Sequence, residues 1–450
     1  MERLRAQDLM MVWPEDRGWA QDIGALVILE SNGQFSIEEA RHLVGGRLGR
    51  LPRFGQLLYQ PGLGRGWPLW VDASSVDLHE HVQELPLDAN AAEAQLLRTC
   101  EELRLQPFDR ARPLWKMWFV TGPTDGRVAL FVKVHHAMAD GVAGIGALGT
   151  FFDFTPETHD SEALPSRPAP IPSERNLLHD NVRGQLHRAA ELARHIAHPA
   201  ETTKAMRAGW PAVRESLVEG RAPRTSLNEG PIGWHRRFGL VRADLDALKA
   251  TAHSNGAKVN DVLMTVVAAG LRDLLLHRGE TVEGVVLRAF VPVSLHATGA
   301  DDVQGNLDGA MIIPLPVGVR DDIARLRLIT AETAERKKRS RPQGGTLFRN
   351  RPLQKLFLRL APYQRVMNTY VANVPGPPVP LYFAGMRVQE VFPVVPLMGN
   401  VSVGVGALSY ASQFNITAVV DRGRCPDVDV FVDGLQGSLD RLGAVRQAAA

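Results

Sequence analysis

The sequence predicts an α/β protein with two domains. A chain of 450 residues is longer than one hydrophobic core usually serves, and chains of this size commonly divide into two domains that each bury their own apolar residues. Short apolar runs of strand length alternate with segments of helical periodicity in both halves. The composition, 45% hydrophobic and 22% charged, is that of a globular protein able to build such cores.

The first domain is predicted over residues 1–170. Ser36 is placed to cap its first helix, because a serine hydroxyl can accept a backbone N–H of the first turn. The predicted strands are residues 25–29, 115–121 and 128–134, and the predicted helices are the segment after Ser36 and residues 91–104. This half is therefore predicted as mixed α/β.

A Pro-rich and helical linker is predicted at residues 171–225. Five prolines between Pro156 and Pro172 exclude a central helix or strand there. The charged, alanine-rich segment from Asn176 to about Arg207 has the pattern of one or two long surface helices.

The second domain is predicted over residues 226–450 and is again α/β. Its predicted strands are residues 236–241, 285–293, 311–315, 369–373, 401–410 and 414–420. Its predicted helices are residues 244–253, a helix whose N-terminus is Asn260-Asp261 and which runs through Leu275, and a closing helix at residues 427–447.

The charge balance argues against nucleic acid as a partner. There are 51 Lys and Arg against 49 Asp and Glu, a net charge of +2, so no global positive field exists. One basic stretch suits an anionic lipid surface, the phosphates of a cofactor or simply a solvated helix end, and it consists of Arg336, Lys337, Lys338, Arg339 and Arg341.

Cysteine content and hydropathy predict a cytoplasmic protein. The two cysteines, Cys100 and Cys425, exclude a disulfide scaffold and a CxxC metal or redox site. The first residues lack the apolar core of a signal peptide, and no uninterrupted run of about 18 apolar residues occurs. Contact with the inner membrane or with lipid inclusions is therefore expected to be peripheral.

The segment HHAMADG is the candidate catalytic centre. It contains His135, His136, Asp140 and Gly141 and directly follows a predicted strand, and strand ends of α/β folds are where functional residues collect. An imidazole with a pKa of about 6.5 can take the proton of an alcohol as it attacks a thioester carbonyl. Such an acyl transfer needs neither a metal nor a nucleophilic side chain.

Other interpretations of the same residues remain open. Two adjacent histidines can end a strand as satisfied polar residues, or they can hold a metal together with Asp140. Adjacent strand residues point to opposite faces, so a shared ion is disfavoured and only one histidine is expected to face substrate. Asp140 is predicted to lock the loop through a buried pair with an arginine, and the N–H of Gly141 could help to bind an oxyanion.

HHAMADG resembles the HHxxxDG signature of the wax ester synthase/diacylglycerol acyltransferase family, a bacterial branch of the CoA-dependent acyltransferase superfamily. Peptide synthetase condensation domains share this signature, so the assignment depends on further segments. Four more are similar to the family's: Pro113-Leu114-Trp115, Asn260-Asp261, Val291-Pro-Val-Ser-Leu295 with Gly305-Asn306, and Ala372-Asn-Val-Pro-Gly-Pro377. The similarity thus spans nearly the whole chain.

The resemblance implies two chloramphenicol-acetyltransferase-like halves with mixed sheets, joined by a helical crossover, and a site between them. It implies that His136 is the general base, that His135 and Asp140 support its position, and that Gly141 opens the loop. It also implies acyl-CoA as co-substrate, with no bound cofactor and no metal. Diacylglycerol, ranked first, or a long-chain fatty alcohol is the implied acceptor.

Direct transfer without an acyl-enzyme is expected, because the sequence has no GxSxG elbow and neither cysteine lies in a reactive setting. Two alternatives are a carrier-protein-dependent condensation or ester-forming transfer, and a non-catalytic lipid-binding member of the family.

The supporting residues each have a structural alternative. Asn260 and Asp261 are expected to support the site, and Asn260 also suits the N-cap of a helix. Arg288 lies on an otherwise apolar strand and needs a partner if buried, for which Asp140 is the candidate. Trp115 and Pro113 are candidate substrate contacts, although a tryptophan beside strand residues is more often core.

Two segments depart from the family pattern. The opening MMVWPEDRGW lacks the family's SPxD-like sequence, and Ala372 stands where serine is common. Both leave the substrate range open.

Overall fold

The structure is a computed structural model. It describes residues 2–4, 6–30, 35–123, 127–138, 141–157, 169–197, 221–294, 308–338 and 351–443.

Strands and helices alternate along both halves of the chain. The strands are β1 (Glu2–Arg3), β2 (Asp22–Glu30), β3 (Gln56–Tyr59), β4 (Leu69–Asp72), β5 (Val82–Ala91), β6 (Trp115–Pro123), β7 (Arg127–His135), β8 (Arg236–Asp244), β9 (Leu287–Ser294), β10 (Asp308–Leu315), β11 (Thr369–Pro375), β12 (Tyr382–Phe383), β13 (Met386–Val394), β14 (Val403–Tyr410) and β15 (Gln413–Asp421). The α-helices are α1 (Ala6–Val12), α2 (Ile37–Arg47), α3 (Leu78–His81), α4 (Glu93–Leu105), α5 (Gly141–Gly149), α6 (Glu174–Ala197), α7 (Leu245–Ser254), α8 (Val259–His277), α9 (Asp322–Lys338), α10 (Arg351–Leu360) and α11 (Val428–Arg441).

Two six-stranded mixed sheets form the body of the protein. The N-terminal sheet has the order β12-β13-β2-β7-β6-β5, the C-terminal sheet has the order β10-β9-β11-β14-β15-β8, and a small third sheet has the order β1-β4-β3. Each large sheet contains both parallel and antiparallel pairs. The predicted mixed α/β class is confirmed.

The same four-strand arrangement occurs in both sheets. Strand β2 is antiparallel to β7, β7 is antiparallel to β6, and β6 is parallel to β5. Strands β8, β15, β14 and β11 repeat these relations in the same order. The strand ends of β7 and β15 therefore occupy corresponding positions in the two halves.

Strand β13 belongs to the second half of the sequence but pairs with β2 in the N-terminal sheet. It also lies against β14 and β15 of the other sheet. The N-terminal sheet thus uses chain from both predicted domains, and the domain boundaries at residues 170 and 225 stay predictions.

Apolar side chains form a core in each half and a third core between the halves. Trp118 and Phe131 of the N-terminal sheet share this third core with Phe238 and Phe392. Helix α8 is the central helix of the C-terminal core and is buried on nearly all sides, as expected for a helix that is apolar around most of its circumference.

Local signals in the sequence account for several helix starts. The Ser36 hydroxyl accepts the backbone N–H of Glu39 at 3.4 Å, which confirms the predicted cap of α2. Asp244 caps α7 in the same way through the N–H of Ala247 at 2.7 Å. Among the described residues, no helix combines the length and apolar character needed to cross a membrane.

Candidate active site

The histidine pair lies at the end of β7, between β2 and β6. Asp22, the first residue of β2, is the register partner of His135. The backbone N–H of His135 donates to Leu114 O at 2.9 Å, and that of His136 donates to Gln21 O at 2.8 Å. Both neighbouring segments therefore fix the backbone of the pair.

Both ring nitrogens of His135 are used within the protein. Its Nδ1 accepts the backbone N–H of Ala137 at 3.0 Å, and its Nε2 lies 3.2 Å from Glu15 Oε1. This pattern requires the proton on Nε2, so His135 is held as one neutral tautomer that donates to Glu15. Only 1% of His135 is exposed.

The sequence did not predict that Glu15 is part of the candidate site. Glu15 lies in the 3₁₀ turn Trp13–Arg17, and Arg110 donates to its second oxygen at 3.1 Å. Burial raises the pKa of the Glu15 carboxyl, but the interactions with His135 and Arg110 outweigh burial and hold the pKa below its ordinary value. No local sequence pattern signals this contact, because Glu15 and His135 lie far apart in the chain.

His136 is buried but keeps 8% of its surface exposed. The turn after it is closed by the N–H of Met138, which donates to His135 O at 2.9 Å. Helix α5 then begins at Gly141, as expected for a glycine that opens the loop into a helix. Asp140 lies outside the described residues. Its predicted buried pair with an arginine, for which Arg288 is the candidate, therefore stays a prediction.

A cluster of buried charged side chains lies next to the end of β7. Arg104 Nε donates to Asp22 Oδ2 at 2.6 Å, and Lys133 Nζ donates to Arg104 O at 2.9 Å. Burial raises the pKa of Asp22, but the positive charges of Arg104 and Lys133 outweigh it and lower the pKa. Burial lowers the pKa of the Lys133 ammonium. Arg104 also donates to Val395 O at 3.3 Å and so ties this cluster to the second half of the chain.

The corresponding strand end in the C-terminal half contains an ion pair. Arg236, the first residue of β8, is the register partner of Asp421, the last residue of β15, and the two side chains meet at 3.0 Å. Burial lowers the pKa of Arg236 to about 10, and the positive charge of Arg104 acts in the same direction. The Arg104 guanidinium lies 6.0 Å from the centre of the ring of Phe238, which follows Arg236 by two residues in β8, so the two strand ends lie near each other at the boundary between the halves.

Asn260 is not the N-cap of its helix, so the structural alternative that the sequence offered for this residue is wrong. Helix α8 begins one residue earlier, at Val259, and its N-cap is Lys258. The cap is made by Asp261, whose carboxylate accepts the Lys258 backbone N–H at 2.9 Å and which is only 2% exposed. Asp261 therefore holds the helix start, and Asn260 is its half-buried neighbour.

Trp115 is fully buried in the N-terminal core. Its indole N–H donates to Phe54 O at 2.8 Å, and its ring stacks on that of His81 with 4.4 Å between centroids. Pro113 is buried as well, and its carbonyl accepts the Trp115 N–H at 3.0 Å. These residues fix Leu114, whose carbonyl accepts the His135 N–H; their contact with substrate stays a prediction.

Arg288 is 9% exposed and lies in β9 beside a network of asparagines. Its backbone N–H donates to Asn368 Oδ1 at 3.0 Å. Asn368 Nδ2 donates to Asn228 Oδ1 at 2.8 Å, and Asn228 Nδ2 donates to Asn400 O at 2.8 Å. The network joins three segments of the second half, and the sequence did not predict it.

Segments that resemble the family also meet in space. A groove of about 470 Å³ is lined by Val259, which precedes Asn260 in the sequence, and by Asn373 and residues 375–377 of the NVPGP loop. A neighbouring groove of about 550 Å³ shares Lys249 and Val259 with it. His136 lines neither of these two grooves, but helix α5 lies against β11 and connects the histidine segment to the NVPGP strand.

Metal-binding side chains do not gather in the described part of the chain. Within it, no three His, Cys, Asp or Glu residues are arranged so that they could hold a metal ion.

Comparison with known proteins shows the family of the chain. Residues 4–263 match the family model described as the wax ester synthase/diacylglycerol acyltransferase catalytic domain, and residues 304–443 match the WS/DGAT C-terminal domain. A probable diacylglycerol O-acyltransferase of Mycobacterium tuberculosis is 30% identical, over 98% of this chain and 94% of that protein.

Solved structures share the fold. The wax ester synthase/diacylglycerol acyltransferase from Marinobacter aquaeolei VT8 has a TM-score of 0.71 and 24% identity, over 98% of both chains. The first condensation domain of the CDA synthetase has a TM-score of 0.58 and 15% identity, over 100% of this chain and 98% of that chain. The predicted fold is thereby confirmed. Since the catalytic-domain match alone covers more than half of its residues, the chain belongs to the wax ester synthase/diacylglycerol acyltransferase family and is an acyltransferase.

Proposed function

We propose that this enzyme transfers a long-chain acyl group from acyl-CoA to the hydroxyl of diacylglycerol, of a long-chain fatty alcohol or of both, with His136 as general base. The observation that supports the base assignment is the state of its neighbour. His135 uses Nδ1 and Nε2 in bonds to Ala137 and Glu15, so it cannot accept a substrate proton without breaking them. Within the pair, the role of base falls to His136.

The proposed reaction is a direct transfer. His136 takes the hydroxyl proton while the alcohol oxygen attacks the thioester carbonyl. As the tetrahedral intermediate collapses, the C–S bond breaks, and the departing CoA thiolate takes the proton back from His136. The backbone N–H groups at the start of α5, beginning with Gly141, are the proposed donors to the oxyanion.

The rigid surroundings of the pair support this mechanism. Base and reacting oxygen must stay within hydrogen-bonding distance during the attack, because small displacements reduce the rate of proton transfer strongly. Glu15 fixes the ring of His135, and Gln21 and Leu114 fix the backbone of the pair. Asp140, Asn260, Asp261 and Arg288 are proposed as further supports, and Pro113 and Trp115 as residues that line or shape the acyl site.

Diacylglycerol is the acceptor that we rank first. The supporting observation is that full-length relatives from Mycobacterium tuberculosis are named diacylglycerol O-acyltransferases. A carrier-protein-dependent condensation is not favoured, since the similarity to condensation domains is one of fold at 15% identity. Because both acceptors are apolar lipids, we propose that the enzyme works from the cytoplasm in peripheral contact with the inner membrane or with lipid inclusions.

The test is an assay of the purified protein with palmitoyl-CoA and either diacylglycerol or hexadecanol. Release of free CoA and formation of triacylglycerol or wax ester are followed separately, so hydrolysis is distinguished from transfer. The wild type is expected to form ester, His136→Ala to form at least about a hundredfold less, and His277→Ala, at an exposed position, to match the wild type. Wild-type rates in His136→Ala would refute the base, and absence of both esters with the wild type would refute the acceptors.

A further inference from the structure

Helix α10 and the 3₁₀ turn after it, Ala361–Tyr363, have a buried side and, opposite to it, an exposed side with large apolar residues. The inner side consists of Gln354, Leu358 and Ala361, which are at most 3% exposed and of which Leu358 and Ala361 belong to the core between the halves. The outer side consists of Leu356, Leu360 and Tyr363, which are 50%, 54% and 77% exposed. We call this second set the outer face.

Helical geometry explains why the two sets separate. Residues four apart in an α-helix, and three apart in a 3₁₀ turn, lie on one side. Leu358 follows Leu356 by two residues, a rotation of about 200°, so one faces the core when the other faces away. The inner apolar residues are explained by the core, whereas Leu356, Leu360 and Tyr363 belong to none of the hydrophobic cores that the described residues form. Contiguous exposed apolar residues commonly mark an interaction surface.

The charges beside the outer face identify the kind of partner. Lys355 and Arg359 are both exposed, one turn apart and adjacent in sequence to Leu356 and Leu360. No acidic residue occurs between residues 351 and 363. A row of large apolar side chains flanked by cations is the pattern of a helix that lies in the surface of an anionic bilayer, where the cations meet the headgroups. We infer that the outer face docks on an anionic lipid surface.

The location of α10 links this surface to the candidate active site. The Lys355 ammonium lies 5.9 Å from the centre of the Trp13 ring. Trp13 begins the 3₁₀ turn that contains Glu15, the partner of His135. Docking through the outer face therefore brings the end of β7 close to the lipid, from which an apolar acceptor can pass without crossing water. The delivery of an apolar acceptor rests on the proposed function, whereas the docking of the outer face on lipid does not.

The experiment is vesicle flotation of the full-length protein. It uses vesicles of phosphatidylcholine alone and of phosphatidylcholine with phosphatidylglycerol. Leu356→Ser/Leu360→Ser/Tyr363→Ser is compared with Leu178→Ser/Val182→Ser/Leu186→Ser, which removes a similar exposed row, 47% to 66% exposed, from α6. The outer-face variant is expected to lose about tenfold or more in binding to anionic vesicles, and the α6 variant to bind like the wild type.

The contribution of charge is tested separately. Lys355→Gln/Arg359→Gln is expected to lower binding to the anionic vesicles about thirtyfold and to leave the weaker binding to phosphatidylcholine unchanged, because each of the two cations contributes about 1 kcal/mol near an anionic surface. Thermal unfolding of every variant should match the wild type, since the altered side chains are exposed. Wild-type flotation by the folded outer-face variant overturns the inference, and so does a loss of self-association, which would make this face a contact between two copies of the chain.

An activity measurement separates this inference from the proposed function. With a short water-soluble alcohol and acyl-CoA, the outer-face variant is expected to react like the wild type, whereas its activity on diacylglycerol in anionic vesicles falls in parallel with binding. If the wild type floats through this face but esterifies no alcohol, the proposed function fails and the docking surface stands. If the wild type esterifies diacylglycerol and the variant does so equally well in vesicles, the docking surface fails alone.

Discussion

The ends of β7 and β15 occupy the same place in two similar halves but contain different chemistry. His136 follows β7 and donates its backbone N–H to Gln21 O, the carbonyl just before β2. Arg422 follows β15 and donates its backbone N–H to His235 O, the carbonyl just before β8. Arg422 is therefore the structural counterpart of His136. The fold repeats the position, and the side chains decide whether it can react.

In the C-terminal half the strand end is closed by its own residues. Asp421 accepts from Arg236 at 3.0 Å, from the Gly233 N–H at 2.8 Å and from the Arg424 N–H at 2.9 Å. The carboxylate is fully occupied by structural donors. This half therefore uses its strand end to hold the fold together.

In the N-terminal half the equivalent residues take other partners. Asp22 pairs with Arg104 instead of its register neighbour His135, and His135 is held by Glu15. The ion pair is displaced from the strand end, which leaves a neutral imidazole there and a second imidazole directly after it. Under the proposed mechanism, this difference confines the catalytic base to the N-terminal half.

The largest effect is expected when each of the two counterparts is replaced by alanine in turn. His136→Ala removes the proposed base and should lower kcat by about 10² to 10⁴, the usual contribution of general base catalysis. Arg422→Ala removes an exposed side chain at the corresponding position and should leave kcat within about twofold of the wild type. Steady-state ester formation with palmitoyl-CoA measures both, and a large loss in Arg422→Ala would show that both strand ends take part.

Removing either buried carboxylate should destabilise the protein strongly. Asp22→Asn and Asp421→Asn each leave a buried arginine without its charge partner, and breaking such a pair costs about 3 to 5 kcal/mol. Denaturant unfolding measures the loss. The two variants should differ in activity. Folded Asp421→Asn should keep the wild-type kcat, while Asp22→Asn should lower kcat because Asp22 supports the end of β7. Equal kcat in the two folded variants would remove the functional difference between the strand ends.

The pH dependence of stability should distinguish Asp22 further. Its pKa is lowered in the folded protein, so the ionised carboxylate stabilises the fold above the unfolded value of about 3.9. That stabilisation diminishes as the pH falls below this value and is lost once the pH passes the folded pKa. Unfolding free energies measured from pH 7 towards pH 3 should therefore fall less steeply in Asp22→Asn than in the wild type.

A smaller effect is expected from Glu15→Gln, which keeps the shape of the side chain but removes its charge. The negative charge beside the histidine pair favours protonated imidazole, so its removal should lower the apparent pKa of the base and extend activity to lower pH. We expect a kcat about tenfold lower at neutral pH, because His135 is held less firmly. Glu15→Asp should restore the wild-type pH profile in part. An unchanged acidic limb would assign Glu15 a purely structural role.

The sequence predicted the parts of this comparison that depend on local patterns. The apolar run at residues 128–134 and the histidines after it placed the pair at a strand end, and β7 ends at His135 as expected. Glu15 was not predicted, because its contact with His135 is made by the tertiary fold between segments far apart in the chain. No spacing rule connects them.

Other differences between prediction and structure have similar causes. Asn260 looked like an N-cap because asparagine before an apolar run often is one, yet the bond from Lys258 N–H to Asp261 starts the helix earlier. Strand β13 was not predicted. It pairs with β2, which lies near the start of the sequence, and no local pattern indicates such a long-range pairing. Strand β5 was not predicted either. It contains Pro86, and proline is uncommon inside strands; the register of β5 with β6 shifts after this residue.

The smallest effect is expected from replacing the cysteines, one of which lies in each half of the chain. Burial raises the pKa of the Cys100 thiol, and burial raises that of Cys425 to about 12, so neither forms a thiolate at neutral pH. Cys100→Ala/Cys425→Ala should keep kcat within about twofold, and native protein should resist iodoacetamide until it unfolds. Direct transfer through His136 predicts this outcome, because it uses no cysteine nucleophile, whereas an acyl-cysteine intermediate cannot form in the double variant. A large loss of kcat in the folded double variant, with rapid alkylation of the native enzyme, would instead indicate a covalent route through a cysteine and contradict direct transfer.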